Sequence, residues 1–169
     1  MDYQERLKEK ELNIRRGKIR RITKTVLISF LVFSGLGLLG WGITKIPRIL
    51  EEEIISRTGI HWHPELSILI KGIKQEVPAE IGIGAVHNPI HTHDATGIIH
   101  LEFEGLVTKK SIRLEKFFEI WKKTFNQNCI FDNCNGVDGT VKFLVNGQLN
   151  NEFEKYVMQD GDKIEIRYE

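Results

Sequence analysis

Net charge is almost absent from this chain: its 169 residues include 24 Lys and Arg and 23 Asp and Glu, which leave a formal charge of +1. With 41% hydrophobic residues, this balance argues against a disordered chain and against a protein that coats nucleic acid. Repeats and low-complexity tracts are missing as well. So are the G-x-S-x-G, H-E-x-x-H, phosphate-loop and dinucleotide motifs, and therefore no motif indicates a common enzyme class.

The near-neutral total conceals a strong segregation of charge along the chain. Residues 1–24 contain nine basic and four acidic side chains, whereas residues 47–169 contain 14 basic and 19 acidic ones. Between them, Thr25 to Thr44 form an uncharged stretch of 20 residues. As a helix this stretch is about 30 Å long, which matches the hydrocarbon layer of a membrane. The sequence therefore predicts a transmembrane helix over residues 25–46 and excludes a simple cytosolic protein.

The charges on either side of this stretch predict its orientation. Residues 14–24 carry six basic side chains and no acidic one, while residues 45–53 carry two basic and three acidic ones. The positive-inside rule then predicts a single-pass protein of the cell membrane, with its N-terminus in the cytoplasm and lipid rather than nucleic acid as the partner of its tail. A cleaved signal peptide is the alternative, but an A-x-A-like cleavage site is missing. The predicted parts are a basic cytoplasmic tail (1–24), the transmembrane helix (25–46), a connector (47–60) and an extracytoplasmic domain (61–169).

Cysteine is scarce: Cys129 and Cys134 are the two in the chain, in the segment CIFDNC. Four residues separate them rather than the two of thioredoxin-type motifs, which disfavours redox catalysis. In an oxidising compartment outside the cytoplasm a local disulfide is the favoured interpretation. A free pair that binds Cu(I) or exchanges thiols, and two unconnected cysteines, are the alternatives.

Apolar periodicity predicts that the outer domain is α+β, with two layers, a mixed sheet and one packed helix. Leu66 to Lys71 alternates in polarity and, after a turn at Gly72, is predicted to pair with a strand over Gln75 to Ile83. Gly97 to Phe103 alternates as well. Two further strands, Thr140 to Val145 and Lys163 to Tyr168, are predicted to close the sheet. Helical spacing of large side chains then appears at Leu114, Phe117, Phe118, Trp121 and Phe125.

The histidines are concentrated in one segment. All six lie within 40 consecutive residues: His61, His63, His87, His91, His93 and His100. Four of them form two H-x-H pairs, and side chains at i and i+2 of an extended segment point to the same side, so each pair can bind one ion. His100 and Glu102 share a face of the next predicted strand. Imidazole nitrogens with one or two carboxylates suit Zn(II) or Cu(II) better than Ca(II) or Mg(II).

The predicted metal ligands are His61, His63, His91, His93, His100, Asp94 and Glu102. Asp94 has two interpretations, since D-A-T-G can be a turn in which the carboxylate accepts backbone hydrogen bonds, or Asp94 can orient a ligand imidazole. His87 is interpreted as a loop residue or an additional ligand. A hydrogen-bonded histidine cluster that fixes the fold, and an acid sensor, are the alternatives to a metal site.

Two segments resemble known families. The last 30 residues, with the V-N-G turn and D-G-D before the final strand, resemble the C-terminal half of a ubiquitin-like β-grasp domain of the sulfur-carrier type. The chain ends without Gly-Gly, so this resemblance implies no carrier role. The segment from Gly84 to Gly105 is similar to the first cupin metal motif, but the glycine spacing differs and the expected glutamate is missing.

A broader resemblance covers most of residues 61–169. The motifs H-x-H-x-x-L-x-I (61–68), H-T-H-D-x-x-G-x-I-H-x-E (91–102), L-x-x-F-F-x-x-W (114–121) and V-N-G (145–147) are similar to those of an uncharacterised family of small membrane-anchored archaeal and bacterial proteins. Members are frequent in ammonia-oxidising archaea, which use copper outside the cell. By analogy, the resemblance favours copper over zinc.

Three functional hypotheses follow. The first is a membrane-anchored, extracytoplasmic copper- or zinc-binding protein that acts in metal delivery or metal-dependent assembly. The second is a non-enzymatic accessory subunit of a membrane protein complex, such as a copper-dependent oxidase of the ammonia monooxygenase type, with a structural histidine cluster. The third is a metalloenzyme, which needs an open coordination position and a proton-transfer group such as Glu102 or Glu104.

Overall fold

The computed structural model describes residues 3–43 and 50–169, and its internal contacts divide the chain into two compact units, between residues 48 and 49. The first unit contains helix α1 (Tyr3–Ile43), whose side chains from residue 14 to residue 38 are exposed apart from Gly35. Over Lys8–Leu38 this helix is long and apolar enough to cross a membrane. It includes most of the basic segment, while residues 44–46 of the predicted span lie outside the described residues.

The second unit is rich in β-structure. Its strands are β1 (Ile54–Ser56), β2 (Gly59–Trp62), β3 (Glu65–Ile70), β4 (Ile73–Gln75), β5 (Ile90–His91), β6 (His100–Glu104), β7 (Val107–Thr108), β8 (Cys129–Ile130), β9 (Asn133–Cys134), β10 (Val141–Val145), β11 (Gln148–Leu149) and β12 (Lys163–Tyr168). The part of the sequence predicted as a connector contains β1, the start of β2 and a short 3-10 helix, Glu51–Glu53.

The largest sheet has five strands in the order β11-β10-β12-β3-β4. The pair β12 and β3 is parallel, and the other pairs are antiparallel. Alternation places Leu66 and Ile68 of β3 and Ile164 and Ile166 of β12 in the core, each at most 1% exposed. This mixed sheet, with one α-helix among the described residues of the second unit, confirms the predicted α+β class.

The hairpin after β3 is tighter than the sequence predicts. Strand β4 begins at Ile73, directly after Lys71 and Gly72, which both have positive φ and form the turn. The predicted partner strand over Gln75 to Ile83 is therefore wrong in its extent: pairing ends at Gln75. Pro78 cannot donate to a strand, and its carbonyl instead accepts a hydrogen bond from Thr92.

Helix α2 (Leu114–Trp121) buries Leu114, Phe117 and Phe118 as its apolar spacing predicts. It ends at Lys122, which adopts the left-handed conformation with φ 58°. Phe125, predicted to lie on the same helical stripe, is therefore outside the helix, although it is 7% exposed and packs against Phe118 with ring centroids 4.8 Å apart.

The histidine segment forms a separate three-stranded antiparallel sheet in the order β2-β6-β5. A two-stranded ladder joins β1 to β7, and a second joins β8 to β9. In the latter, Cys129 lies opposite Cys134 and the two form a disulfide.

Candidate metal centre

The register of the three-stranded sheet places three histidines and one glutamate on one face. His61 of β2 lies opposite Glu102 of β6, and His91 of β5 lies opposite His100 of β6. Since His100 and Glu102 are two residues apart on the central strand, both project to the same side. The sheet therefore brings side chains that are up to 41 positions apart in the sequence onto one surface. We call this surface the histidine face; its strand residues are His61, His91, His100 and Glu102.

Two groups of potential ligands lie on this face. The first, which we call group A, contains His91, His93, His100 and Glu102. The second, group B, contains His61, His63 and His100. Within each group, one nitrogen or oxygen atom per residue lies within 4.8 Å of the others. The ligands predicted for a single pocket are thus divided between two adjacent groups that share His100.

His91 is the best-fixed member of group A. It is 3% exposed, and its Nδ1 lies 3.0 Å from the backbone oxygen of Asn88. A carbonyl oxygen can only accept, so Nδ1 carries the proton and donates it, which leaves a lone pair on Nε2 of the neutral ring. Such a hydrogen bond on the far nitrogen is the usual way in which proteins orient a histidine for a metal.

The free nitrogen of His91 points to His93. Nε2 of His91 and Nε2 of His93 are 3.1 Å apart. Two nitrogens bound to one Zn²⁺ at 2.0–2.1 Å with near-tetrahedral angles are separated by about 3.3 Å. Without an ion, His93 must donate a proton across this contact, because two facing lone pairs repel. The two nitrogens are thus already close to the spacing that a shared ion requires.

His100 lies at the centre of the face, where its side chain is 20% exposed. Its Nδ1 is buried, makes no hydrogen bond and lies 3.5 Å from Oε1 of Glu102. Burial of the ring, and then the nearby imidazoles of His93, His63 and His91, lower the pKa of His100, whereas Glu102 acts in the opposite direction. A lowered pKa keeps this ring neutral, the form that binds metals.

Glu102 lies between the two groups. Its Oε1 is 3.2 Å from Nε2 of His61 and 3.5 Å from Nδ1 of His100. The side chain is 42% exposed. The carboxylate can therefore accept a hydrogen bond from a protonated ring or act as an anionic ligand.

Group B is more exposed than group A. His61 and His63 are both exposed, and their ring centroids are 4.7 Å apart. The ring of His63 meets that of His100 edge to face at 4.8 Å. The backbone nitrogen of His63 donates to Oδ1 of Asp160 at 2.8 Å, which ties the end of β2 to the turn before β12.

Asp94 and His87 lie outside both groups. Oδ1 of Asp94 accepts hydrogen bonds from the backbone nitrogen and the hydroxyl of Thr96, and these bonds lower the pKa of Asp94. This is the turn geometry that the sequence offered as one of two interpretations. His87 is exposed and stacks on His91 with ring centroids 5.7 Å apart.

Sequence reasoning missed the residues that hold the second H-x-H pair in place. Thr92, between His91 and His93, is fully buried; its hydroxyl donates to the Pro78 oxygen at 2.8 Å and accepts from the Ile81 nitrogen at 3.1 Å. The sequence shows only that a threonine lies between His91 and His93, and its burial becomes apparent only in the structure.

Gly82 brings the neighbouring loop against the same pair. It has φ +77°, and an added Cβ would lie 2.5 Å from the Ile90 oxygen and 3.3 Å from Cβ of His91. Any larger residue would displace His91 or its loop.

Comparisons with family models, curated proteins and solved structures found no match for this chain. Members of both groups line an open cleft of about 590 Å³, namely His61, His91, His93 and Glu102. An ion bound there would therefore be accessible to a partner or a small ligand.

Proposed function

We propose that this protein is a membrane-anchored, extracytoplasmic domain that binds copper or zinc and acts in metal delivery or metal-dependent assembly. The observation that carries the proposal is the convergence of His91, His93, His100 and Glu102 to within 4.8 Å of one another. Three imidazoles and one carboxylate make a four-donor set of the kind that Zn(II) and Cu(II) favour.

Partial exposure of the site supports a role in transfer rather than permanent structural binding. His91 is buried, whereas His93 and Glu102 are exposed. A partner could therefore approach the ion from the side of His93 and Glu102 and replace these ligands one at a time, while His91 stays fixed by Asn88.

Support for the location comes from three features. Helix α1 is long and apolar enough to span a membrane. Basic residues dominate one flank of its apolar stretch, which favours a cytoplasmic N-terminus. The disulfide between Cys129 and Cys134 is typical of an oxidising compartment.

We also infer a β-grasp-like fold for the five-stranded sheet. In space the strands follow the order β4-β3-β12-β10-β11. Along the chain β3 is the first of these strands and β12 the last, and the two are parallel neighbours at the centre of the sheet. Helix α2 lies in the sequence between the hairpin β3-β4 and the strands β10 to β12. The segment that carries β5 and β6 is then an insertion between the first hairpin and α2. An experimental structure in which β3 and β12 are not neighbours would contradict this inference.

Metal analysis tests the main proposal. The full chain is purified in detergent, stripped with a chelator, incubated with Zn²⁺ or Cu²⁺ alone and dialysed. We expect the wild-type chain to retain metal at neutral pH and to release it below about pH 6, where imidazoles are protonated.

The matched variants are His91→Ala and His87→Ala, of which only the first removes a group A ligand. We expect His91→Ala to weaken binding by at least tenfold and His87→Ala to retain wild-type binding, with circular dichroism verifying that both variants fold. A wild-type chain that retains no metal, or a folded His91→Ala variant that binds as well as wild type, would refute the proposal and favour an accessory subunit with a structural histidine cluster.

A further inference from the structure

One ion at group A leaves His61 and His63 without a role. We propose that these two histidines hold a second transition-metal ion beside the first, with the carboxylate of Glu102 bridging both ions. This inference rests on the proposed function of group A, and the number of ions bound distinguishes the failure of one from the failure of the other.

Ligand number is the first argument. A structural or transport site for Zn²⁺ is filled by four donors, and His91, His93, His100 and Glu102 already supply four. His61 and His63 are therefore in excess of what one ion needs. They also lie directly beside it: the rings of His63 and His100 are 4.8 Å apart, and Nε2 of His61 is 3.2 Å from Oε1 of Glu102.

The position of Glu102 is the second argument. It lies opposite His61 across the β2–β6 ladder, and its Oε1 is 3.2 Å from Nε2 of His61 and 3.5 Å from Nδ1 of His100. A carboxylate has two oxygens and can bind one cation with each, and carboxylate oxygens are common ligands in two-metal sites with ions about 3.5–4 Å apart. Its negative charge also offsets the repulsion between two adjacent cations.

The geometry of the histidine pair is the third argument. His61 lies in β2, and the hydrogen bond from His63 to Asp160 fixes the residue that follows this strand. The backbone of both residues is therefore fixed, and their rings lie with centroids 4.7 Å apart. Because the side chain of His61 is 65% exposed, we expect the second ion to bind more weakly than the first, so the two ions load in sequence.

The test uses Cu²⁺ alone and the full chain in detergent. Equilibrium dialysis gives the number of ions per chain, and electron paramagnetic resonance shows whether two Cu²⁺ ions are close enough to couple. The variants are wild type, His63→Ala and His87→Ala; the last removes an exposed imidazole that belongs to neither group and serves as the control.

We expect two copper ions for wild type and His87→Ala, and one for His63→Ala. The wild-type resonance signal should be broadened or reduced below the total copper, whereas His63→Ala should give an uncoupled signal that accounts for all its copper. Absence of bound copper in wild type would overturn the proposed function and this inference together.

Other results would overturn the inference alone. One copper ion in wild type, unchanged in His63→Ala, means that group A is the whole site. Two bound copper ions whose electron paramagnetic resonance signals are uncoupled would show that the carboxylate of Glu102 does not bridge them.

Discussion

Replacing His100 with phenylalanine is predicted to stabilise the metal-free protein and to reduce its stabilisation by a bound metal ion. The buried Nδ1 of His100 has no hydrogen-bond partner, and an unsatisfied buried polar group costs about 1–3 kcal/mol. Because the side chain is 20% exposed, the lower end of this range applies, about 1 kcal/mol. Phenylalanine preserves the planar ring that packs between His63 and His93 and removes the unsatisfied atom.

The metal-free variant is therefore expected to be about 1 kcal/mol more stable than wild type, which raises the melting temperature by about 4 °C. With Zn²⁺ the order reverses. At a free concentration 100 times its Kd, an ion stabilises the wild-type fold by about 2.7 kcal/mol. If loss of the His100 ligand weakens Zn²⁺ binding about a hundredfold, the same concentration of Zn²⁺ stabilises the variant by only about 0.4 kcal/mol.

Thermal unfolding of the full chain in detergent, followed by circular dichroism with chelator and with Zn²⁺, measures both effects. Wild type should be the less stable protein in chelator and the more stable one in Zn²⁺. A variant that loses more than 1 kcal/mol in chelator would show that His100 stabilises the fold by itself. A variant that Zn²⁺ stabilises as much as wild type would show that His100 is not a ligand.

Two further predictions concern side-chain hydroxyl groups that stabilise the fold, one between His91 and His93 and one in the hydrophobic core. Thr92→Val keeps the shape of the side chain but removes the hydroxyl that joins Pro78 and Ile81. We expect the free energy of unfolding to fall by about 1–3 kcal/mol and Zn²⁺ binding to weaken. Unchanged values in both the unfolding and the binding assay would contradict the anchoring role of Thr92. Tyr156→Phe removes the hydroxyl that donates to Asp162 and should cost about 1–3 kcal/mol. Burial, followed by the hydrogen bond to Asp162, raises the pKa of Tyr156, so its stabilisation is present below about pH 10 and is lost as the pH rises further. Denaturant unfolding at pH 8 and pH 11 checks this, because the difference between wild type and variant should shrink at pH 11; an equal difference at both pH values would refute it.

Local patterns predicted those elements whose apolar residues follow one clear period along the chain. The apolar spacing from Leu114 to Trp121 is helical and the structure has α2 at these residues; the final strand over Lys163 to Tyr168 also matches. The prediction failed at the ends of two elements: Lys122 in the left-handed conformation ends the helix before Phe125, and the partner strand of β3 ends its pairing at Gln75. The conformation of Lys122 does not follow from residue type, since lysine rarely adopts positive φ.

The sequence by itself determined which side chains could share a face, because alternation along a strand depends only on the period of the backbone. It therefore placed His91 with His93 and His100 with Glu102, and it also supplied the imidazole and carboxylate groups that could hold a metal ion. Only the tertiary structure decided which strand lies beside which, and so divided one expected pocket into two groups joined at His100. It also decided that Asn88 fixes the ring of His91 and that Asp94 lies in a turn with Thr96. Strand register depends on contacts between segments distant in the chain, about which a local pattern contains no information. The hydrogen bonds of Asn88 and Thr96 are short-range, but the local sequence allows other conformations as well, and the surrounding fold selects one of them.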